Sequence, residues 1–315
     1  MTRRGWQCAV GALEIVIGAL GLVGVLVGQA VAEEGVLEID QTCATSSGCF
    51  SGDSAGFPVT LTEGRYRLTS DLVVASETQS AIRVSGSDVE IDLAGFTISG
   101  PVSCTGSSGA TLACTPTTGT GNGIERSTTS IVGVSVRDGA IRGMGSRAVS
   151  LGEYSVVSRL QVSSNRSIGI VVGASSIVRD CVLSRNGTSA LVSGDGSLVL
   201  RTTSSLNGGV GLSTGDGSNV RENASHDNDG DGIQTGFGSL LVANLSAGNE
   251  GDGIQALGRS SAQRNSLRAN VGFGLHTVTG ITPSAFRYNT FFENIFGSAS
   301  DSVSLGANDC DGVAC

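Results

Sequence analysis

Carboxylates recur at a fixed spacing in the second half of the chain. Asp227, Asp229 and Asp231 alternate with other residues, and Glu250 and Asp252 stand 21 positions after the last two. Carboxylates stacked a few ångströms apart repel each other, and a bound cation relieves the repulsion. Calcium prefers oxygen ligands of this kind. These five residues are therefore a candidate calcium site, and calcium is the one cofactor that the sequence suggests.

Three other interpretations of the acidic segment stay open. Asp227, Asp229, Asp231 and Gly232 match the first half of an EF-hand loop, but its last ligand position holds Gly238 instead of Glu. Asn-Asp-Gly sequences also form ordinary turns without any ligand. Glycosidases use two carboxyl groups about 5–5.5 Å apart when they retain configuration, a spacing that stacked acids meet. No catalytic residue is assigned on this basis.

A second set of polar residues follows the same spacing. Ser213, Gln234, Gln255 and His276 are each 21 positions apart. Amide and hydroxyl groups hydrogen-bond sugar hydroxyls when they lie along one surface. We predict that these four residues contact carbohydrate, and the alternative is an ordinary solvated strand face.

Both sets belong to a repeat that must position them. The repeat is clearest in a column of asparagines at Asn165, Asn186, Asn207, Asn228, Asn249 and Asn270. A fixed period of this size indicates a stacked array of one structural unit. Short runs of Val, Ile, Leu, Ser and Thr broken by Gly, Asn and Asp favour strands and turns, and the glycines would cost about 1 kcal/mol each inside a helix.

The period predicts an all-β solenoid with three short strands in each coil. We expect about ten coils of roughly 21 residues, with equivalent residues about 4.8 Å apart along the axis. Alternation along the first strand sends Ile233 and Thr235 inward and Gln234 outward. The same argument points Glu125, Ser150, Val171 and Val192 outward in earlier coils.

The units Val210–Gly230 and Asp231–Gly251 resemble the repeats of right-handed parallel β-helix proteins of the pectate-lyase-like superfamily. The resemblance covers roughly Val59 to Ile295 and implies a single-stranded right-handed parallel β-helix. That superfamily includes lyases, hydrolases, phage tailspikes and adhesins. In its polysaccharide-active members the outward face of the first strand and its flanking turns form the substrate groove.

The leading functional interpretation is a secreted β-helix protein that binds polysaccharide, or a cell-surface glycan, on this face. One alternative is a structural or adhesive surface protein without enzymatic activity. Another is an enzyme, either a calcium-dependent polysaccharide lyase or a glycoside hydrolase. The chain lacks the N-T-D, G-H-G and R-I-K motifs of related polygalacturonases. A lyase would need an outward arginine as base, and the nearest in sequence are Arg221, Arg264 and Arg268.

Composition bounds the partners and the compartment. With 28 acidic and 19 basic residues, the net charge of −9 argues against nucleic acid as a partner. Residues 1–32 have the pattern of a signal peptide cleaved near Ala32, with Arg3 and Arg4 before an apolar stretch from Ile15 to Gly28. That stretch is shorter than the ~20 residues of a membrane span. We expect a secreted or cell-surface bacterial protein, monomeric, with no membrane span after cleavage.

The cysteines suit an exported protein. Cys43/Cys49, Cys104/Cys114 and Cys310/Cys315 form three close pairs, which predict loop-closing disulfides. Cys181 stands alone in an inward column, where a buried thiol is expected. The predicted organisation is an N-terminal cap at 33–56, a β-helix at 57–297 with a disulfide-closed loop at 101–122, and a C-terminal cap or tail at 298–315.

Overall fold

A computed structural model describes residues 35–106, 112–278 and 282–315. The predicted signal peptide, residues 1–32, lies outside these ranges, as do residues 107–111 of the loop. Among the described residues, no helix is long and apolar enough to cross a membrane. The one helical element in these ranges is a single π-helical turn, Cys43–Ser47. The all-β prediction is confirmed.

Short parallel strands stack into three ladders, which the chain visits in the same order in every coil. Ladder 1 consists of Val59–Leu61, Ile82–Val84, Ile124–Arg126, Val149–Ser150, Ile170–Val172, Leu191–Ser193, Leu212–Thr214, Ile233–Thr235, Ile254–Ala256, Phe273–Thr277 and Gly297–Ser300. Ladder 2 consists of Val36–Ile39, Arg65–Leu68, Glu90–Asp92, Ile177–Arg179, Leu198–Leu200, Asn219–Arg221, Leu240–Val242, Ser261–Gln263, Ser284–Arg287 and Ser302–Ser304. Ladder 3 consists of Leu72–Val73, Thr97–Ser99, Val182–Ser184, Thr203–Ser205, Ala224–His226, Leu245–Ala247, Ser266–Arg268, Thr290–Phe292 and Asp309–Cys310.

Two longer strands, Ser135–Arg142 and Val156–Ser163, run through ladders 2 and 3 in succession. The pairing keeps the 21-residue register predicted from the sequence, for example between Gln234 and Gln255. Ladder 1 alone has 11 strands, and the solenoid has about 12 coils, slightly more than the ten expected.

Inward side chains of successive coils form continuous apolar columns. The column at the start of ladder 1 contains Ile170, Leu191, Leu212, Ile233, Ile254 and Leu275, all fully buried. Each such side chain contributes roughly 1.5–3 kcal/mol when removed from water. Because the partner of each residue is its own equivalent one coil away, the core extends along the axis with the stack.

Two buried asparagine columns hold the turns. In the first, each Nδ2 from Asn165 to Asn249 donates to Oδ1 of the asparagine 21 residues on, at 2.9–3.0 Å. The same Oδ1 accepts the backbone N–H of the previous coil, as Oδ1 of Asn228 does from Asn207. The second column begins at Asn223 and follows the same rule. These bonds satisfy backbone groups that the corners would otherwise leave unpaired.

The corner between ladders 2 and 3 carries a column of alternating charge. It contains Asp138, Arg159, Asp180, Arg201 and Glu222, each with a positive φ. Arg201 Nε lies 2.7 Å from Asp180 Oδ1. The hydrogen bond from Arg159 is the largest influence on Asp138 and lowers its pKa, and Arg201 lowers the pKa of Asp180 in the same way. Opposite charges one coil apart thus pair where like charges would repel.

All three predicted disulfides are present, joining Cys43 to Cys49, Cys104 to Cys114 and Cys310 to Cys315. Cys181 is a free and buried cysteine. Burial raises the pKa of its thiol to about 11. It is therefore a core residue and not a nucleophile.

The solenoid continues beyond the residue 297 boundary that the sequence suggested. Gly297–Ser300, Ser302–Ser304 and Asp309–Cys310 pair in parallel with ladders 1, 2 and 3 in turn. Only the last strand, Val313–Ala314, turns back antiparallel to cover the end. Asn308 continues the asparagine column but stands 19 residues after Asn289, so the 21-residue period is lost before the fold ends.

Candidate functional site

The outward residues of ladder 1 form one straight row along the molecule. The pairing aligns Thr60, Arg83, Glu125, Ser150, Val171, Val192, Ser213, Gln234, Gln255, His276 and Ser300. The row changes character along its length, from an ion pair between Arg83 and Glu125 through two valines to a polar half. The predicted carbohydrate-binding residues all lie in this polar half, on adjacent coils. We call the segment from Ser213 to His276 the polar row.

The two glutamines of the polar row are held in fixed orientations. Gln234 Nε2 donates to Oδ2 of Asp231 at 2.7 Å and to Oε1 of Gln255 at 3.3 Å. Oδ1 of Asp231 accepts the backbone N–H of Asp252 at 2.6 Å. Burial raises the pKa of the Asp231 carboxyl, and the nearby Asp252 charge acts in the same direction. Asp231, in the turn that precedes the ladder 1 strand, therefore orients the side-chain amide of Gln234, which in turn contacts that of Gln255.

The next coil uses its aspartate to orient the histidine. The Nδ1–H of His276 donates to Oδ2 of Asp252 at 2.8 Å, while Oδ1 of Asp252 accepts the backbone N–H of Phe273 at 2.7 Å. The Asp252 side chain is 11% exposed and that of His276 is 26% exposed. Asp252 is thus nearly buried, and it orients the His276 imidazole, which is partly exposed at the surface.

Two phenylalanines extend the polar row at its C-terminal end. The ring centroids of Phe273 and His276 are 5.6 Å apart, and those of Phe273 and Phe296 are 6.0 Å apart in an edge-on arrangement. Phe296 is 66% exposed. The sequence analysis missed this aromatic cluster. Phe273 continues the column Val210, Asp231 and Asp252 by one more step, so following that turn position would have found it.

Comparison with known proteins finds similarity to solved structures and none in sequence. No protein-family model matches the chain, and no curated protein matches it in sequence. The periplasmic alginate epimerase AlgG superposes with a TM-score of 0.52 at 14% identity, over 87% of this chain and 71% of AlgG. The Dettilon tailspike protein gp208 gives 0.51 at 12% identity, over 74% of this chain and 53% of the tailspike, so the chain spans about half of that protein. The A-module of the Azotobacter vinelandii mannuronan C-5 epimerase AlgE6 gives 0.48 at 14% identity, over 86% of this chain and 89% of the module.

The chain is a right-handed parallel β-helix. At these identities the likeness is one of fold. The β-helix predicted from the 21-residue repeat is confirmed, and the chemistry of the face must be argued from its own residues.

The β-helix does not gather the five predicted calcium ligands into one site. Asp231 and Asp252 stack as expected, but each of their four carboxylate oxygens already accepts a hydrogen bond from the protein. Asp227 lies at the ladder 3 corner, where Oδ2 is 2.8 Å from His226 Nδ1. Asp229 and Glu250 occupy successive turns, each donating its backbone N–H to an asparagine carbonyl one coil back. Among the described residues, no group of three or more His, Cys, Asp or Glu is arranged to hold a metal ion.

A disulfide-closed hairpin stands beside the ladder 1 face. Its strands, Ser103–Thr105 and Ala113–Thr115, are antiparallel and joined by the Cys104–Cys114 bond. The hairpin folds back along the turns that precede ladder 1, where a side chain at Gly187 would meet Cys114. It reaches as far as Gly208, and the acidic turns begin in the next coil. The described part of the hairpin therefore lies beside the start of the polar row.

Two other groups of charged residues offer weaker candidates. In a cleft on the outer surface of ladder 2, Arg137 bridges Glu90 at 2.9 Å and Asp92 at 3.0 Å, so those charges neutralise one another. The arginines proposed as lyase bases lie on other faces: Arg221 is on ladder 2 and Arg268 on ladder 3. Arg264 occupies the corner between them. None of the three belongs to the ladder 1 strands that carry the polar row.

Proposed function

We propose that the protein binds an extended polysaccharide along the polar row, with Ser213, Gln234, Gln255 and His276 contacting sugar hydroxyls. The observation that supports this most is the fixed orientation of three of these side chains. Gln234 and His276 are held by aspartates of the adjoining turns, and Gln234 in turn donates to Gln255. Groups oriented before binding lose less conformational entropy when a ligand arrives.

The shape and the aromatic cluster support a polymer as the ligand. The four residues stand on neighbouring coils, so three spacings of about 4.8 Å separate the first from the last and the row is roughly 14 Å long. This length suits an extended oligosaccharide segment. The row is an open surface, whereas small-molecule sites are enclosed pockets. The exposed ring of Phe296 and the neighbouring Phe273 offer an apolar surface for the C–H face of a sugar ring. AlgG, which shares the fold, is named as an alginate epimerase.

We also propose that the protein works outside the cytoplasm as a monomer. Three disulfides in one chain suit an oxidising compartment, and AlgG is described as periplasmic. Cell fractionation together with N-terminal sequencing of the exported form tests the cleavage near Ala32. Size-exclusion chromatography with light scattering tests the monomer.

One observation favours catalysis as a second candidate function. Asp231, whose pKa burial raises, and the Asp252–His276 pair lie in adjacent coils. A carboxyl group that keeps its proton to higher pH and an oriented histidine are suited to acid and base roles in bond cleavage. A reducing-end assay detects hydrolysis, and ultraviolet absorbance of an unsaturated uronate detects lyase action. If both assays are negative with every polymer that binds, the protein is a binding or structural protein without catalytic activity.

Binding is tested by affinity electrophoresis through gels that contain soluble polysaccharides. The double variant Gln234→Ala/Gln255→Ala removes two amides, each contributing about 0.5–1.5 kcal/mol through its hydrogen bonds, so affinity should fall roughly 5- to 150-fold. Gln263→Ala is the matched control, because this glutamine lies on the outer surface of ladder 2, where its side chain bonds to Ser261 and Arg287 and not to the polar row. Equal retardation of both variants and the wild type would refute the proposed site.

A further inference from the structure

The turns on both sides of the polar row carry a strong excess of negative charge. Between Leu206 and Thr277, ladder 1 and its flanking turns contain one arginine, Arg259, and six carboxylates: Asp216, Asp227, Asp229, Asp231, Glu250 and Asp252. The other arginines of these coils, at 221, 264 and 268, belong to ladders 2 and 3 and the corner between them. The surface offered to a ligand is therefore acidic.

The basic side chains close to the row are few, and apart from the exposed Arg259 they are engaged with other groups of the protein. His276 donates to Asp252, and the pair buries most of its side-chain surface. Further along ladder 1, the Arg83 guanidinium is held by Glu125 at 2.8 Å. Arg147 donates to the hydroxyl of Ser150. No described residue of the polar row itself carries a guanidinium group.

This distribution bears on which polysaccharide fits. Proteins that recognise carboxylates use arginine, whose planar fork matches the two oxygens. Carboxylates in a binding surface instead accept hydrogen bonds from sugar hydroxyls and form ion pairs with protonated amines. A uronate placed on the polar row would bring its negative charge within a few ångströms of Asp231 and Asp252, and like charges at that distance repel.

We propose that the polar row selects polysaccharides without carboxylate groups, either neutral or amino-sugar polymers, and rejects polyuronates. This inference rests on the proposed function and adds to it the chemical class of the ligand. It separates this chain from AlgG, which is named for alginate and resembles it in fold alone.

A matched pair of ligands isolates the charge. Polygalacturonate is compared with the same polymer after chemical reduction of its carboxyl groups, and partially acetylated chitosan is included as an amino-sugar polymer. The folded full-length protein is run in affinity gels at low and at high salt. We expect the carboxyl-reduced polymer or chitosan to bind at least tenfold more tightly than the polyuronate at low salt. The ratio between reduced and native polymer should narrow as salt screens the repulsion.

A protein variant tests the same charge from the other side. Asp229→Asn/Glu250→Gln removes two turn carboxylates that make no side-chain hydrogen bond within the described residues, so the fold should be retained. It should bind polyuronate at least threefold better than the wild type. Glu38→Gln/Glu222→Gln changes net charge equally at exposed sites on ladder 2 and on the corner between ladders 2 and 3, and should leave that binding unchanged.

The outcomes separate the two proposals. Polyuronate binding as tight as that of the reduced polymer, and lost in Gln234→Ala/Gln255→Ala, overturns the selectivity while the proposed function stands. Binding of none of these polymers, nor of any neutral glycan in a wider panel, overturns both.

Discussion

Replacing one asparagine in the middle of the buried column should weaken the whole stack. Asn228 is fully buried. Its Oδ1 accepts the backbone N–H and the Nδ2–H of Asn207 at 3.2 and 2.9 Å, and its Nδ2 donates to Oδ1 of Asn249 at 3.0 Å. In Asn228→Ala the Asn207 Nδ2 keeps two carbonyl acceptors, those of Leu183 and Ser205. The backbone N–H of Asn207 loses its one acceptor among the described residues.

The expected magnitude follows from these contacts. An orphaned buried N–H costs about 1–3 kcal/mol, and the lost side-chain hydrogen bonds together cost about 1 kcal/mol more, because the Asn207 amide keeps its other acceptors. The free energy of unfolding should therefore fall by roughly 2–4 kcal/mol. For a chain of this size that corresponds to a Tm lower by roughly 5–15 °C, measured by far-ultraviolet circular dichroism during heating.

Asn219→Ala is the matched control in the same coil. Asn219 lies on the outer side of ladder 2, and its Oδ1 has no partner within the described residues. Its removal should change the free energy of unfolding by less than about 1 kcal/mol. Equal Tm values for Asn228→Ala and Asn219→Ala would show that the asparagine column does not stabilise the stacked coils.

Three further predictions concern single groups. Burial raises the pKa of Asp231 in the folded state, so its protonated form stabilises the fold below the ordinary pKa of 3.8, and this contribution is lost as pH rises through the raised pKa. The Tm of the wild type should therefore fall relative to the Tm of Asp231→Asn as pH rises toward neutrality. A difference in Tm that stays constant with pH would contradict the raised pKa. Calcium at millimolar concentration should give the same Tm as magnesium, since the carboxylate oxygens of Asp231 and Asp252 already accept hydrogen bonds from the protein. A rise in Tm of more than about 2 °C with calcium alone would instead support a calcium site at the acidic turns. Cys181, whose thiol has a pKa raised to about 11 by burial, should react with Ellman's reagent only after unfolding, and rapid labelling of the native protein would refute its place in the core.

Much of the β-helix was readable from the chain because neighbours in space are equivalents in sequence. The 21-residue period predicts which residues stack on one another, and the alternation of side chains along a strand predicts which of them point outward. For this reason the sequence alone predicts that Gln234, Gln255 and His276 lie on one row. The inward position of Cys181 followed from the same argument.

The contacts between columns were harder to foresee. Asp231 bonds to Gln234 within its own coil, but Asp252 reaches across to His276, which is 24 residues away. Both contacts are compatible with the same repeat, and only side-chain packing decides between them. Phe296 was hidden for a different reason, because three extra residues in the coil after Phe273 shift it out of the 21-residue period.

Disulfide trapping tests the register of the polar row most directly. In Gln234→Cys/Gln255→Cys the two new residues are paired neighbours in ladder 1, about 4.8 Å apart and within the Cα range of a disulfide. In Gln234→Cys/His276→Cys they are two coils apart, at about 9.6 Å, which is too far to bridge. Mild oxidation followed by mass spectrometry of peptides should find the cross-link in the first variant and not in the second. A cross-link in the second variant alone, or in neither, would contradict the stacked coils on which the proposed site depends.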